Sequence, residues 1–460
     1  MKIYNTLSRT VEDFQPIHPP KVGMYTCGMT VYDYAHIGHG RKYVNDDILR
    51  RTLTRFGYEV THVQNVTDVG HLVSDADTGE DKLEKGAKKR GSTVWEVADY
   101  FTKHFYDSMD KLNILRPSVI CKATEHIPEQ ILLVTKLMEK GFAYDTPEAV
   151  YFDVGKFPAY DKLFGNQALH EKKTAVRDEV NRGEHKRNPE DFALWFKRVG
   201  RFADHVMHWP SPWGDGFPGW HIECSALSMK YLGESFDIHT GGIDHISVHH
   251  PNEIAQSEAA TGKPFVKYWV HCEFLMVDGK KMSKSLGNFY TVEDVAAKGF
   301  DPMALRYFYL TAHYRKPLNF TWEALTAAQN ALRQLRGHSP GRSTLSGEKI
   351  EKIDAYREKF DSAIANDLNT PQALAVVWEV VKSNIPPQDK YDLLTDFDEV
   401  LGLQLGRTEE IPADIQALAT KRDQLRKEQK FADADTIRKD IESKGFVVED
   451  TPQGGRITKA

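Results

Sequence analysis

Apolar positions along the chain change their period several times, and each change marks an element. Val22 to Cys27 is a short run of strand character closed by Gly28. After Ala35-His36-Ile37-Gly38-His39-Gly40, the residues Val44, Ile48, Leu49, Leu53 and Phe56 recur at helical spacing, and Gly57 is a natural stop. Tyr58 to Val66 alternates and predicts a strand running into Asn65-Val66-Thr67-Asp68. Strand, helix and strand joined by tight turns predict a βαβ unit and therefore a parallel sheet. Ligands of such sheets sit at the carboxyl ends of the strands, where Cys27 and Thr67 fall.

Residues from about 110 to about 205 read as an insertion, with a charged surface loop over Glu171 to Arg187. A second α/β stretch runs from Gly219 to about Trp269. Past Lys281 the pattern turns helical. Asp301-Pro302 looks like a cap followed by proline at the first helical position, and Leu325, Ala328, Leu332 and Leu335 share one face. Gly337 to Gly347 has linker composition. Further helices are predicted over 348–366, over 371–383 (opened by Thr370-Pro371) and over 389–402. A boundary follows near 405–412. The tail holds two charged helical segments and a hairpin, Phe446-Val447-Val448 to Arg456-Ile457-Thr458, turning at Pro452-Gln453-Gly454-Gly455.

Composition narrows the function classes. The chain has 460 residues, enough for roughly three domains, with 60 Lys and Arg against 66 Asp and Glu. No apolar run approaches the ~18 residues of a membrane span, and Met1-Lys2-Ile3-Tyr4-Asn5 lacks a signal peptide's apolar stretch. Four Cys are no disulfide framework. A membrane protein, a secreted disulfide scaffold and a disordered chain are excluded, and a cytoplasmic location is expected. The net charge of −6 leaves nucleic acid open, because a local basic stripe suffices.

Two segments suggest phosphate chemistry. His36-Ile37-Gly38-His39 sits where a strand hands over to a helix N-terminus, a place that favours anions. Gly38 lets a nucleotide come close, and both His rings can donate to phosphate oxygens. A His pair that merely caps the helix fits the tetrapeptide equally well. Lys281-Met282-Ser283-Lys284-Ser285, followed by Leu286-Gly287-Asn288, is a cationic loop able to close over a polyphosphate. Alone, such a run is usually a solvated loop. Neither a P-loop nor a dinucleotide glycine pattern is present.

A third set is metal-like. Cys27, Cys224 in Pro218-Gly219-Trp220-His221-Ile222-Glu223-Cys224, the group Gly241 to His245, and His249-His250-Pro251-Asn252-Glu253 offer soft and borderline donors. Two Cys, a His and a carboxylate can bind zinc tetrahedrally. The spacing leaves His245, His249 and His250 as alternatives, and each Cys alone is more often a small buried hydrophobe. Pro251 predicts a helix start at that residue, with His249 just before it and Glu253 in the first turn.

His36 to His39 and Lys281 to Ser285, in this order and about 240 residues apart, resemble the signature of class I aminoacyl-tRNA synthetases. Together with Thr26-Cys27-Gly28, Pro218 to Cys224 and His-His-x-Asn-Glu, they closely resemble the cysteinyl-tRNA synthetase family. The similarity extends over nearly the whole chain to Val448-Glu449-Asp450-Thr451-Pro452-Gln453-Gly454. Pro251 departs from it, standing where the family often has an acidic residue. Val69-Gly70-His71 also differs from the commonest bacterial form, so no role is carried over there.

The resemblance implies a fold: an α/β, class I Rossmann-type catalytic domain with an insertion, then an α-helical bundle and a small C-terminal α/β tail domain. The expected division is 1–270 catalytic (insertion about 110–205), 271–330 a linker module bearing the Lys281–Ser285 loop, 331–405 an anticodon-binding bundle and 406–460 a small tRNA-binding domain. It implies a ligase that uses ATP to activate L-cysteine as cysteinyl-adenylate, releasing pyrophosphate, and then charges tRNA(Cys). Implied zinc ligands are Cys27, Cys224, His249 and Glu253, one Zn²⁺ per chain, with the metal selecting the substrate thiolate over serine. His36, Gly38, His39, Lys281 and Lys284 would bind ATP, all but Gly38 also serving catalysis, with Mg²⁺ accompanying the nucleotide. Thr67, Trp220 and His239 would line the amino-acid pocket. A monomer without membrane contact is expected. The tRNA assignment comes from the resemblance and domain order, since 421–444 carry eight basic and six acidic side chains. Competing readings are a paralogous cysteine:amine ligase, a non-catalytic tRNA-binding scaffold and a nucleotide-binding protein with purely structural zinc.

Overall fold

The computed structural model describes residues 1–70, 81–164, 185–338, 347–406, 412–451 and 454–459. The greater part of the expected charged loop (171–184), most of the linker (339–346), most of the tail boundary (407–411), and Pro452 and Gln453 of the hairpin turn lie outside the described residues.

Five parallel strands form the central sheet in the order Val266–Cys272, Phe236–Gly242, Lys21–Thr26, Glu59–Val66, Val119–Lys122. Thr26 pairs with Thr240 on one side and Gln64 on the other. Lys21–Thr26, the earliest of these five strands in the chain, is therefore central and the order runs outward from it both ways. That leaves a crevice between Lys21–Thr26 and Phe236–Gly242 at their carboxyl ends, the switch point where such sheets bind ligands. The helix Ile37–Arg55 makes the first crossover, burying Val44, Ile48, Leu49 and Leu53. It ends as its sequence predicts: Gly57 has φ +83°, a backbone that side chains resist.

An antiparallel sheet of Ala143–Asp145, Ala149–Phe152, Phe192–Lys197 and Gly216–Pro218 interrupts the core. It runs past 205 to Pro218, while Val119–Lys122 belongs to the central sheet. Three residues with one apolar side chain are too short to show a period. Gly216–Pro218 pairs because Gly216 lies so close to the neighbouring strand that a Cβ there would sit 1.9 Å from the Phe196 carbonyl oxygen.

The helix His249–Thr261 begins at His249, two residues before the expected start at Pro251. The first four N–H groups of a helix have no acceptor within it, so proline as the third residue loses no bond. His249 and Glu253 consequently stand one turn apart on one face. A smaller difference occurs at Thr370–Lys382, where Asn369 is the cap and accepts from the Gln372 N–H at 3.1 Å.

Beyond the sheet, Leu275–Val277, Lys280–Lys281 and Leu318–Phe320 form a small sheet, and helices Pro302–Leu310 and Trp322–Arg336 pack behind it. Helices Gly347–Ala365, Thr370–Lys382 and Pro387–Leu401 make the bundle, with the Phe360 and Phe397 rings stacked at 4.1 Å. Charge fastens the bundle to the core: Arg55 pairs with Asp361 and Asp396, and buried Arg306 spans Asp47 and the Leu401 carbonyl. The tail packs Ala413–Lys427 and Phe431–Ser443 on the hairpin Phe446–Thr451 and Gly454–Lys459 around its own core of Ile415, Ala419, Ile437, Ile441 and Val448. Among the described residues no helix is long and apolar enough to cross a membrane.

Candidate active site

Cys27 follows the central strand directly, at the switch point. Its neighbour Gly28 is required there: a Cβ would sit 1.7 Å from the Asn65 carbonyl oxygen, and the Gly28 N–H donates to Asn65 Oδ1 at 2.7 Å. Tyr43 Oη and Lys42 Nζ both donate to the Cys27 carbonyl, at 3.2 and 3.1 Å. The crossover helix therefore fixes the backbone that presents the thiol.

Helix Trp220–Leu232 supplies Cys224, and helix His249–Thr261 supplies His249 and Glu253. The four donor atoms lie within 4.8 Å of one another, all buried. Cys27 Sγ is 3.6 Å from Cys224 Sγ and 3.4 Å from His249 Nε2, and His249 Nε2 is 3.0 Å from Glu253 Oε1. Zinc–sulfur bonds of about 2.3 Å at tetrahedral angles separate two sulfurs by about 3.8 Å, so the donors stand close to the edges zinc needs. Beyond that approach to His249, Glu253 Oε1 is buried with no hydrogen-bond partner, as a metal-facing oxygen would be. The donor set fits the ion.

Electrostatics agree. A hydrogen bond from Cys224 pulls the Cys27 thiol well below its ordinary value, against burial and with help from His249, whereas burial pushes Cys224 up. Burial works against a charged His249, but the Cys27 and Glu253 charges beside it raise it overall. The Cys27 and Glu253 charges thus draw positive charge to the cluster.

The histidines divide their roles. His249 Nδ1 is 2.9 Å from His221 Nδ1, so its other nitrogen faces the cluster in a fixed ring orientation. His239 Nε2 meets Glu253 Oε2 at 2.9 Å and its ring stacks on Trp269 at 4.7 Å; it stands behind Glu253, fully buried. His250 is engaged with His271 at 2.7 Å, and His271 with Thr6 at 2.8 Å. Trp220 lies across the His249 ring at 4.5 Å. Thr67 donates to Glu223 Oε2 at 2.9 Å and accepts from Asn65 at 3.0 Å. Sequence reasoning missed Glu223 and His221. The available signal was a carboxylate and an imidazole in the first turn of a helix otherwise buried among apolar residues.

The His36–His39 pair caps the crossover helix. His36 Nδ1 accepts from the His39 N–H and His39 Nδ1 from the His36 N–H, both at 3.2 Å, with the rings stacked at 3.7 Å. A ring nitrogen that accepts carries no proton, so each neutral ring holds its proton on Nε2. Burial pushes His36 down to about 4 and His39 well below its ordinary value. Both are neutral Nε2–H donors at neutral pH.

The Lys281–Ser285 segment folds against them. The Ser283 N–H donates to Asn288 Oδ1 at 2.8 Å, and Gly287 turns with φ +66°. Lys284 pairs with Asp33 and lies 4.8 Å over the Phe289 ring, which itself meets His36 edge-on at 5.3 Å. The Ile37 N–H donates to the Tyr290 carbonyl at 2.8 Å. The two distant phosphate-like segments are thus neighbours, with Lys281 and Lys284 exposed at the rim.

Known proteins share this fold. A family model described as the tRNA synthetases class I (C) catalytic domain matches residues 13–330, and a DALR domain model matches 359–384. A solved Mycobacterium tuberculosis methionyl-tRNA synthetase with methionyl-adenylate superposes with a TM-score of 0.58 at 16% identity, over 83% of this chain and 90% of that one. A ternary LeuRS–tRNA–LeuAMS complex from Agrobacterium radiobacter superposes with a TM-score of 0.59 at 13% identity, over 85% and 84%. Fold and site define a class I aminoacyl-tRNA synthetase. Cysteine–tRNA ligase 1 of Burkholderia lata is 47% identical over 99% of this chain and 96% of its own, and the cysteine–tRNA ligase of Treponema denticola 43% identical over 100% and 99%. The chain belongs to the cysteine–tRNA ligase family.

Proposed function

We propose that this site carries out the family's reaction with a metal-dependent choice of amino acid. The chain is a ligase that joins L-cysteine to tRNA(Cys) with ATP. The carrying observation is the convergence of Cys27, Cys224, His249 and Glu253 at the sheet's switch point. These four would hold Zn²⁺. When bound, the ion supplies a soft Lewis acid that takes a thiolate in preference to a hydroxyl. Cysteine and serine differ by sulfur for oxygen, which shape alone separates by a few kcal/mol, short of the ~10⁴–10⁵ that translation demands. Thr67 and Trp220 border the amino acid, and His239 orients Glu253.

Activation needs no enzyme nucleophile, because the cysteine carboxylate itself attacks the α-phosphate and pyrophosphate departs. Positioning and charge do the work. His36 and His39 donate from Nε2 to phosphate oxygens, and Gly38 keeps the approach open: a Cβ there would crowd the His36 ring at 2.8 Å. Lys281 and Lys284 neutralise charge as pyrophosphate leaves, Lys284 exchanging Asp33 for phosphate, and Mg²⁺ accompanies the nucleotide. The terminal adenosine 2′-hydroxyl of tRNA then attacks the activated carbonyl.

We assign 1–270 to catalysis, 271–330 to the loop-bearing module, and 331–405 with 406–460 to tRNA. Charging of a tRNA(Cys) transcript with labelled cysteine tests the whole reading. Cysteine-dependent charging is expected, and deleting 406–460 should weaken tRNA binding more than adenylate formation. Adenylate formation without transfer to tRNA would instead favour a small amine acceptor.

A further inference from the structure

The helix Lys82–Arg90 is not accounted for by the site above. Five of its nine residues are Lys or Arg and one is acidic, in a chain whose net charge is −6. Lys88, Lys89 and Arg90 are exposed in its last turn. Arg90 lies 4.2 Å over the Tyr100 ring and donates to Tyr34 Oη at 3.2 Å, and the Tyr34 and Tyr100 hydroxyls meet at 3.1 Å. Tyr100 is 45% and Trp95 46% exposed, both on the next helix, Val94–Lys111. Neighbouring carboxylates are engaged: Glu84 accepts from the Val206 N–H, Glu96 caps its own helix at Thr93, and Asp99 pairs with Lys122.

This surface adjoins the nucleotide site. Tyr34 precedes His36 by two residues, and Asp33 beside it holds Lys284. The Tyr34 ring packs on Phe101 at 5.1 Å and His104 at 4.6 Å, which seats Val94–Lys111 at the rim. Exposed cations interleaved with exposed aromatic faces fit a polyanion with planar bases: phosphates take the cations and unpaired bases take the rings.

We propose that Lys88, Lys89, Arg90, Trp95 and Tyr100 form a platform for the single-stranded 3′ end of the tRNA as it enters the site. The platform rests on the ligase reading. Lys88 and Lys89 grip backbone phosphates, Tyr100, pressed flat by Arg90, offers one stacking face, and Trp95 another nearer the start of the same helix.

The test uses the full-length protein and a tRNA(Cys) transcript, with cysteine-dependent ATP–pyrophosphate exchange measured in parallel. The double variant Lys88→Ala, Lys89→Ala should raise KM for tRNA at least fivefold. It should also flatten the dependence of log affinity on log salt by about 1.4, two single-strand phosphate contacts at ~0.7 each. Exchange stays unchanged. Tyr100→Ala should raise KM for tRNA, whereas Tyr100→Phe keeps the ring and restores it. Unchanged KM and salt slope in the double variant overturn the platform, and the basic helix then serves another partner, such as an acidic protein. Equal loss in Tyr100→Ala and Tyr100→Phe overturns the stacking role. Wild-type protein that exchanges pyrophosphate but charges no tRNA overturns the ligase reading and the platform with it.

Discussion

The end of the site proposed for the cysteine thiol and the end proposed for phosphate are built on opposite plans. Cys27, Cys224, His249 and Glu253 are no more than 4% exposed, and partners such as His221 and His239 steer the ring and carboxylate from behind. At the other end, Lys284 is 56% exposed and held by one exchangeable ion pair and one ring. The difference suits the tasks proposed for the two ends. Telling sulfur from oxygen needs donors that do not move, since a donor that adapts would accept either atom. Stabilising a departing pyrophosphate needs cations that follow the charge and then release it. The His36–His39 pair combines the two plans, fixed by its own capping bonds while each Nε2–H stays out of them.

The contrast is broken most forcefully at the thiol end. Cys224→Ser should lose bound metal and lower cysteine-dependent pyrophosphate exchange about a hundredfold or more, read by metal analysis beside the exchange assay. Full exchange in a metal-free variant would separate the cluster from activation. At the phosphate end, Lys284→Ala should cut the adenylation rate at least tenfold with metal content and cysteine binding intact, followed by single-turnover kinetics. A smaller loss would remove Lys284 from the chemistry.

A subtler substitution sharpens the comparison. His239→Gln removes the imidazole behind Glu253 and should weaken metal affinity roughly tenfold, measured by competition with a chelator. An unchanged affinity would make His239 a packing residue only. The smallest effect concerns acid stability. Burial holds His36 at about 4 and His62 at about 3, below the ~6.5 of a free imidazole. The unfolded chain then binds more protons across that interval, so stability is full above about pH 6.5 and declines as pH falls toward 4. Urea midpoints should follow this course, and His62→Asn should flatten it; a midpoint constant from pH 6.5 to 4 would contradict it.

How much of this could be read in advance depended on how far apart the parts lie. The βαβ unit, the stop at Gly57 and the Asp301-Pro302 start were legible because each is local. The His36–His39 and Lys281–Ser285 segments were legible because each is contiguous, although their contact through Phe289 was not. The metal-like cluster joins Cys27 to residues 197 and 222 positions away, so composition and spacing offered donor types without choosing among His245, His249 and His250. Helix register favours His249: a helix starting there stands it one turn from Glu253, while His245 and His250 also fall in donor groups with Cys27, and Pro251 misled because proline also fits the third position. Gly216–Pro218 is set by close backbone approach, which leaves no periodic trace. Glu223 and His221 gain their partners only from other elements.

The central claim is that the buried donor cluster, through its metal, chooses cysteine. ATP–pyrophosphate exchange with cysteine and with serine, before and after chelation, tests it most directly. The account expects exchange with cysteine alone, abolished by chelation and restored by zinc. Exchange with serine at a comparable rate, or a cysteine preference that survives complete removal of the metal, would contradict it.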